Sequence, residues 1–483
     1  MNDNHHYITV DLGASSGRVM ITTVSNSLKQ REVHRFTNQP IKQEVLLVWD
    51  FETLFKEVLR GIQKAFEIEP NIESIGIDTW GCDYGYIDES GKLLRNPICY
   101  RDERTFQAES ITKPFFSKES LYAQTGIQHL RFNTIYQIAC DLKYDQALIK
   151  QANTWLMIPD LIAYYLTGEK RMELTNLSTT SFYNPTKQTI IEALYRMGFE
   201  KRLLPKLILP GETYGLILDE HVETYHIKKV PVVAVCTHDT ASAIHSIHLE
   251  PSDVYISSGT WSLIGKVLKA PNINPQTFNA SYTNEVGYQH DIRFLKNISG
   301  LWIKNKIIEA YNIEKIDYDA IDQGIQQVLS FNSIIDLDHS DFELGENILE
   351  KIKHYCIKTN QETPKTLYEY LALFNYSLVC KYKHHLDTLE ELTHIKTKQI
   401  IIIGGGSQND LINQMTSDMT QLPVIKGEKE ATSIGNALVQ HEASHPGFNK
   451  HTYKEKTHSS FKPHQDLSNI YTKYQTIVKG RIQ

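Results

Sequence analysis

The 483-residue chain is too long for one ordinary core, since domains run to roughly 100–200 residues, and two or three are expected. Its apolar content of 41% suffices for packed cores, yet no segment reaches the roughly 18 uninterrupted apolar residues of a membrane span. With 50 Lys and Arg against 57 Asp and Glu, a net charge of −7 and no concentrated basic block, the chain is also a poor nucleic-acid binder. The beginning, MNDNHHYITVDLG, enters a strand at once without a basic stretch and apolar signal region, so a cytoplasmic location is expected. The six cysteines (Cys82, Cys99, Cys140, Cys236, Cys356, Cys380) are scattered without a C-x-x-C pair. They read as isolated core thiols in a reducing compartment, not as a zinc site or disulfide framework.

In chain order, YITVDLGASSGRVMITTV (7–24) reads as strand, Gly/Ser turn and strand, a hairpin. DFETLFKEVLRGIQKAFEI (50–68) carries Leu54, Phe55, Val58, Leu59, Ile62 and Phe66 at helical spacing, an amphipathic helix. IESIGIDTWGCDYGYID (72–88) is a strand that breaks at Asp78-Thr79-Trp80-Gly81. The stretch 104–200 reads as a largely helical insertion. In VPVVAVCTHDTASAIHSIH (230–248) a buried strand, Val230 to Val235, stops at Cys236-Thr237-His238-Asp239-Thr240 and gives way to a helix. DVYISSGTWSLIGKV (253–267) repeats the hairpin pattern, and KQIIIIGGGSQNDLINQM (398–415) is a strand running into glycines at a helix start. A polar tail ends in a helical LSNIYTKYQTIVKGRI. Strands alternating with helices make the class α/β. Laid over each other, the two hairpins put Gly13 against Gly259, about half the chain apart, which suggests two halves on one plan. The expected division is a first domain over 1–243, a second over 244–450, and a tail and helix over 451–483 packing back on the first.

The turn DLGASSGR offers Gly13 and Gly17, which can take φ > 0, with Ala14, Ser15 and Ser16 between them. It reads either as a tight hairpin or as a nest of N–H groups for phosphate oxygens, with Arg18 as a further donor. SSGTWS repeats the choice with Ser257, Ser258, Gly259 and Thr260. The third stretch, IIIIGGGSQNDLINQ, leaves backbone bare enough for a flat ring or phosphate, or is a turn needing glycine for close packing. It matches neither the dinucleotide fingerprint nor the P-loop. Asp239 is read two ways, as helix N-cap or as a carboxylate at a strand's carboxyl end able to accept a hydroxyl proton. Asp11, ending the first strand, is the candidate to hold a hydrated Mg²⁺, which keeps several waters beside one or two carboxylates and phosphates. Trp80, Asp83, Arg101 and Asp102 suit a polyol, or equally a surface loop with a buried tryptophan.

With these residues assembled, the chain resembles the FGGY family of carbohydrate kinases from Val10 to about Leu438. The general pattern lies in GGGSQNDLINQMTSDMTQLPV (404–424) and EATSIGNAL (430–438). Narrower likeness lies in VDLGASSGRVM, HRFTN, SIGIDTWGCDYGYID, YRDERT, THDTASA, SSGTWSLIG and LKNISGLW. The resemblance implies a two-domain, actin-like (ribonuclease H-like) ATPase fold with an interdomain cleft, ATP as co-substrate, Mg²⁺, and a small ketose as partner. It implies that Ala14, Ser15, Ser16, Gly17, Arg18 and Thr260 hold phosphates, that Gly405 borders the adenosine, and that Asn305 touches the nucleotide. It further implies Gly81, His238, Asp239, Thr240 and Asn297 as ketose contacts, with Asp239 the proton acceptor in phosphorylation of L-rhamnulose at its 1-hydroxyl. Ser299, Asn305 and Cys82 depart from the family's residue types. Another ketose (fuculose, xylulose, ribulose) is the near alternative, and an actin- or chaperone-like ATPase is the alternative of another class.

Overall fold

A computed structural model of the chain describes residues 4–259, 261–313, 317–342, 346–448, 450 and 459–479. These fall into two compact units. The first is drawn from Met1–His248, Val267–Phe294 and Glu430–Lys456, and the second from Leu249–Lys266, Leu295–Lys429 and Thr457–Gln483.

In the first unit the predicted hairpin forms from His5–Leu12 and Ser16–Val24, and a third strand, Leu28–Thr37, continues it antiparallel. The chain then crosses to the parallel strand Ile72–Thr79 through the helix Phe51–Ile68. Parallel neighbours need such a crossover, and here the apolar stripe supplies its buried face. Leu54, Val58, Leu59, Ile62 and Phe66 are all buried, and Asp50 caps the helix by accepting the Thr53 N–H. A Cβ on Gly61 would lie 2.3 Å from Val19 Cγ2, so glycine is what lets this helix sit so close to the sheet. Pro231–Val233 adds a further parallel strand and Thr213–Leu216 an antiparallel edge. The 104–200 stretch is largely helical, as expected, and has its own apolar cluster around Trp155, Tyr136, Phe182 and Leu194.

The helix Ala431–Ser444 joins this unit although it lies far along the chain. It packs on the strands His5–Leu12 and Ile72–Thr79 and on the helix Asp239–His245. The packing is backbone-close: a Cβ on Gly435 would meet the Ser242 carbonyl oxygen at 1.7 Å, and one on Gly76 would meet Asn436 Oδ1 at 2.2 Å.

The second unit repeats the plan, as the overlay of the two glycine hairpins suggested. Asp253–Ser258 and Trp261–Leu268 form a hairpin, and the first of them pairs in parallel with Gln399–Ile403. That strand in turn pairs in parallel with Val424–Lys426. A 27-residue helix, Leu367–Thr393, is buried along most of its length, and Asp410–Thr420 packs beside it. Ser460–Phe461 pairs with Val424–Lys426, and the helix Ser468–Lys479 packs on Leu367–Thr393. The described part of the tail therefore completes the second sheet, instead of returning to the first domain as expected. Among the described residues, no helix is long and apolar enough to cross a membrane. All six cysteines are free, five of them buried.

Candidate active site

Three strand ends of the first unit bring the acidic residues together. His5–Leu12 and Ile72–Thr79 run in parallel with Asp11 in register with Asp78. The loop after Pro231–Val233 bridges in at His238, opposite Thr79, and the Thr79 N–H donates to the Thr237 carbonyl at 2.8 Å. Carboxyl ends of parallel strands are where open α/β sheets bind ligands.

Asp11 is paired across the hairpin with Arg18, which donates to its Oδ2 from Nε and Nη2 at 3.0 and 2.8 Å. Arg18 also binds Glu430, at the start of the helix Ala431–Ser444. Burial drives the Asp11 carboxyl up to about 6; Arg18 opposes the rise, and Asp239 and Glu430 add to it. Asp78 is fully buried and accepts from Asn436 Nδ2 at 2.6 Å, while its Oδ1 has no hydrogen-bond partner among the described residues. Its carboxyl lies well above the usual range, first through burial and then through the charge of Asp11. From sequence alone Asp78 is legible as a strand end with no role attached. The available signal was its position, one strand end beside another that also carries an aspartate.

Asp239 is the first residue of the helix Asp239–His245, whose N-cap is His238 with no side-chain capping bond. One oxygen, Oδ1, accepts both the Thr240 N–H at 2.5 Å and the Thr240 hydroxyl at 3.0 Å, and the side chain is 33% exposed. Asp239 is thus held at one oxygen without being the cap. Thr240 is itself buried, and its hydroxyl is turned to Asp239.

His238 is fixed from behind. Arg293 Nη2 donates to its Nδ1 at 3.0 Å, and Glu285 Oε2 lies 3.0 Å from Arg293 Nη2 and 3.4 Å from His238 Nδ1. Burial works against the Glu285 charge, but Arg293 holds its carboxyl below the usual range. A guanidinium only donates, so Nδ1 accepts and the ring hydrogen sits on Nε2. Gly81 lies against that nitrogen: a Cβ there would be 3.6 Å from Nε2. The next residue, Cys82, has φ of 79°, a conformation that side chains resist, and its carbonyl is clamped by Thr134 and Gln137. Glu173, also unread from sequence, is buried and accepts from Thr237 N and Oγ1, Thr175 N and Oγ1, and Asn176 N. It ties the loop before His238 to its neighbour.

The polyol reading of the nearby aromatic loop does not hold for all its residues. Asp83 is fully buried and accepts from Trp49 Nε1, Trp80 Nε1, Gln137 Nε2 and the Tyr100 N–H, so it and Trp80 form an internal knot. Asp102 caps Glu103–Gln107 and accepts the Leu47 N–H. Arg101 is exposed.

The first turn closes on itself through Gly13 N–H to Ser16 O at 2.9 Å, and Asn38 braces it from Nδ2 to Gly13 O and from N–H to Ser15 O. Ser15 is exposed and Ala14 half-buried. That conformational freedom is not used, since none of Gly13, Gly17 and Gly259 has positive φ. Gly17 is needed for space instead: a Cβ there would meet the Phe36 ring at 2.3 Å.

In the second unit the matching turn closes through Gly259 N–H to Trp261 O at 3.0 Å. Thr260 lies outside the described residues. Two other glycines pack against this turn. A Cβ on Gly300 would lie 2.6 Å from Gly259 O, and one on Gly406 would lie 2.0 Å from Ser258 Oγ. Gly404 does take positive φ, at 82°. Among the described residues nothing lies within 4 Å of a Cβ position on Gly405, so its backbone is open on that side. Asn305 is exposed in the helix Trp302–Ala310, and Asn297 is half-buried on the strand Ile292–Ser299.

Comparison with known proteins gives this arrangement a family. The FGGY family of carbohydrate kinases matches by its N-terminal domain over residues 6–245 and by its C-terminal domain over 254–444. The rhamnulokinase of Oceanobacillus iheyensis is 38% identical over 90% of this chain and 92% of its own. That of Bacillus subtilis is 36% identical over 90% and 89%. Among solved structures, a gluconate kinase from Lactobacillus acidophilus superposes with a TM-score of 0.81 at 16% identity, covering 99% of this chain and 97% of its own. The fold is the two-domain, actin-like ATPase fold expected from sequence. The chain belongs to the FGGY family of carbohydrate kinases.

Proposed function

We propose that the chain transfers the γ-phosphoryl group of ATP to the 1-hydroxyl of L-rhamnulose, forming L-rhamnulose 1-phosphate and ADP. The choice of sugar rests on the relatives named rhamnulokinase, which match across most of the chain. The observation that carries the chemistry is Asp239, tethered by Thr240 at one oxygen and partly exposed at a strand end beside Asp11 and Asp78.

In phosphoryl transfer, positioning and charge neutralisation do most of the work, and a carboxylate that takes the hydroxyl proton completes it. Asp239 is assigned that role. Thr240 keeps the carboxylate aimed, and His238 presents Nε2–H to a ketose oxygen because Arg293 occupies Nδ1. Gly81 leaves room for the sugar beside that nitrogen. The first turn, Ala14 to Arg18, is assigned to phosphate oxygens, and in the second unit Thr260, Asn305 and the open backbone at Gly405 are assigned to the nucleotide. Asn297 is assigned to the ketose.

The acidic residues fit a divalent cation. Burial first, and then neighbouring carboxylates, push Asp11 and Asp78 toward their neutral forms, and Asp78 beside Asp11 keeps an unpartnered buried oxygen among the described residues; a cation held there would favour the charged carboxylates. Asp11 is the residue to hold hydrated Mg²⁺, which when bound neutralises charge on the transferred phosphoryl group.

A panel of ketoses with coupled ADP detection tests the reading. L-Rhamnulose is expected to give the highest kcat/KM and to stimulate ADP release. Preference for fuculose, xylulose or ribulose would move the assignment within the family, and ATP hydrolysis indifferent to sugars would point to an ATPase of the actin or chaperone kind.

A further inference from the structure

At the opposite end of the first strand from Asp11, three histidines converge. His5 starts the strand His5–Leu12, and His441 and His445 lie one helical turn apart at the end of the helix Ala431–Ser444. One ring nitrogen from each lies within 4.8 Å of one from each of the others. The ring centroids are 4.1 Å apart for His5 and His445, 4.2 Å for His441 and His445, and 5.1 Å for His5 and His441.

The hydrogen bonds around the cluster decide which nitrogen each ring offers. His5 Nδ1 is 2.7 Å from Glu73 Oε1, and a carboxylate only accepts, so Nδ1 carries the hydrogen. The Tyr7 hydroxyl gives its one hydrogen to Glu73 Oε2 at 3.1 Å and therefore accepts from His441 Nδ1, 2.8 Å away. His445 Nδ1 lies 3.2 Å from the His441 carbonyl oxygen, another acceptor, and 3.0 Å from Ser444 Oγ. In all three rings the hydrogen is on Nδ1 and the lone pair on Nε2. One carboxylate, Glu73, sets two of the tautomers, directly for His5 and through Tyr7 for His441. Metal-binding histidines are oriented in this way, with the second nitrogen donating to a carboxylate, carbonyl or hydroxyl. Tyr7 and His441 are buried while His5 and His445 are half-buried, so the cluster is anchored in the core on one side and open to solvent on the other.

We propose that His5, His441 and His445 form a binding site for a divalent transition-metal ion such as Zn²⁺, which fastens the start of the first strand to the end of the helix Ala431–Ser444. Three neutral imidazoles suit Zn²⁺ and its first-row neighbours in tetrahedral geometry with water as the fourth ligand, and do not suit Mg²⁺. Asp11 lies six residues along the strand, roughly 20 Å away at about 3.3 Å per residue, so this site is separate from the phosphoryl-transfer chemistry.

The test is a Zn²⁺ titration of the metal-stripped full-length protein against a chromophoric chelator, paired with the visible spectrum of the Co²⁺-loaded protein. One ion per chain is expected, with the intense bands of four-coordinate Co²⁺ and a rise in unfolding temperature on loading. His5→Gln and His445→Gln should each weaken Zn²⁺ binding by at least roughly 100-fold, and Glu73→Gln by about 10–100-fold. His464→Gln, an exposed histidine in the second unit, should leave binding unchanged. No Zn²⁺ uptake by the wild-type protein at tens of micromolar, or uptake unaltered by His5→Gln and His445→Gln, would overturn the proposal. The Co²⁺ spectrum of the wild-type protein needs no variant, and six-coordinate bands alone would also overturn it.

Discussion

Asp11 and Asp78 stand in register on neighbouring parallel strands, and they are answered differently: Arg18 binds Asp11, whereas Asp78 receives the neutral amide of Asn436. Both carboxyls are pushed up, and Asp11 reaches about 6 from an ordinary 3.8. The folded state therefore binds the Asp11 proton more tightly than the unfolded chain does. Its stabilising contribution is fully present below pH 3.8 and is lost as pH rises through 6. Replacing Asp11 with Asn removes that loss. In metal-free buffer the stability of the Asp11→Asn variant relative to the wild type should rise between pH 4 and pH 7, by up to about 3 kcal/mol on top of the pH-independent cost of losing the bond to Arg18. Urea unfolding across pH 4–8 measures it; a pH-independent difference would refute the placement of this charge. Activity should fall at every pH.

Asp239→Asn tests the proton acceptor. It should lower kcat by roughly 10²–10⁴ while ATP affinity changes little. Thr240→Val removes only the hydroxyl bond to Oδ1 and keeps the backbone one, so kcat should fall by about tenfold, in keeping with one hydrogen bond of 1–1.5 kcal/mol. In the double variant the Thr240 effect should disappear, because there is no carboxylate left to aim. Near-normal turnover by Asp239→Asn would end the assignment.

Much of the scaffold was legible because its signals are local. The stripe from Leu54 to Phe66 declared the helix Phe51–Ile68, and apolar runs broken by Gly and Ser declared both hairpins. Laying Gly13 over Gly259 suggested that the hairpin recurs; the parallel strand beside each hairpin is a long-range pairing that the overlay did not show. The site's supporting residues were not legible, because they meet across long separations that no periodicity encodes. Glu285 and Arg293 reach His238 from some fifty positions on, and Glu430 and Asn436 reach Arg18 and Asp78 from more than 350. Asp83 and Trp80 looked like ligand contacts because their composition suits a sugar, but their hydrogen bonds face inward. The glycines were ambiguous for another reason. A sequence marks where a side chain is missing, not whether dihedral freedom or space requires it, and Gly17 proves to be a matter of space.

The pair Glu285–Arg293 separates positioning from stability. Either residue replaced alone leaves a buried unpaired charge, and Glu285→Leu or Arg293→Met should each destabilise the fold by about 3–5 kcal/mol. Together the two substitutions should recover most of that stability, since a buried ion pair often exchanges with apolar residues at little net cost. His238 would then lose the donor on Nδ1 that keeps its hydrogen on Nε2. The double variant should therefore fold well and show a KM for the ketose raised by roughly tenfold, with the KM for ATP unchanged. A double variant with a normal ketose KM would show that His238 needs no such support.

Two glycines of the second unit predict opposite consequences. Gly300 has no room for a Cβ, which would lie 2.6 Å from Gly259 O and 2.7 Å from Ser262 N, so Gly300→Ala must push the second hairpin turn aside. It should destabilise the protein by about 1–3 kcal/mol, the range for overpacking, and weaken ATP binding with it. Gly405 meets nothing within 4 Å among the described residues and does not take positive φ, so Gly405→Ala should leave unfolding within about 0.5 kcal/mol of the wild type. If the nucleotide lies against that backbone, the added methyl meets it directly, and ATP affinity should fall by about tenfold or more with folding intact. Isothermal titration with ATP, alongside urea unfolding, distinguishes the two cases. Unchanged ATP affinity in Gly405→Ala would move the nucleotide away from this loop, because no loss of fold is available there to mask or mimic the contact.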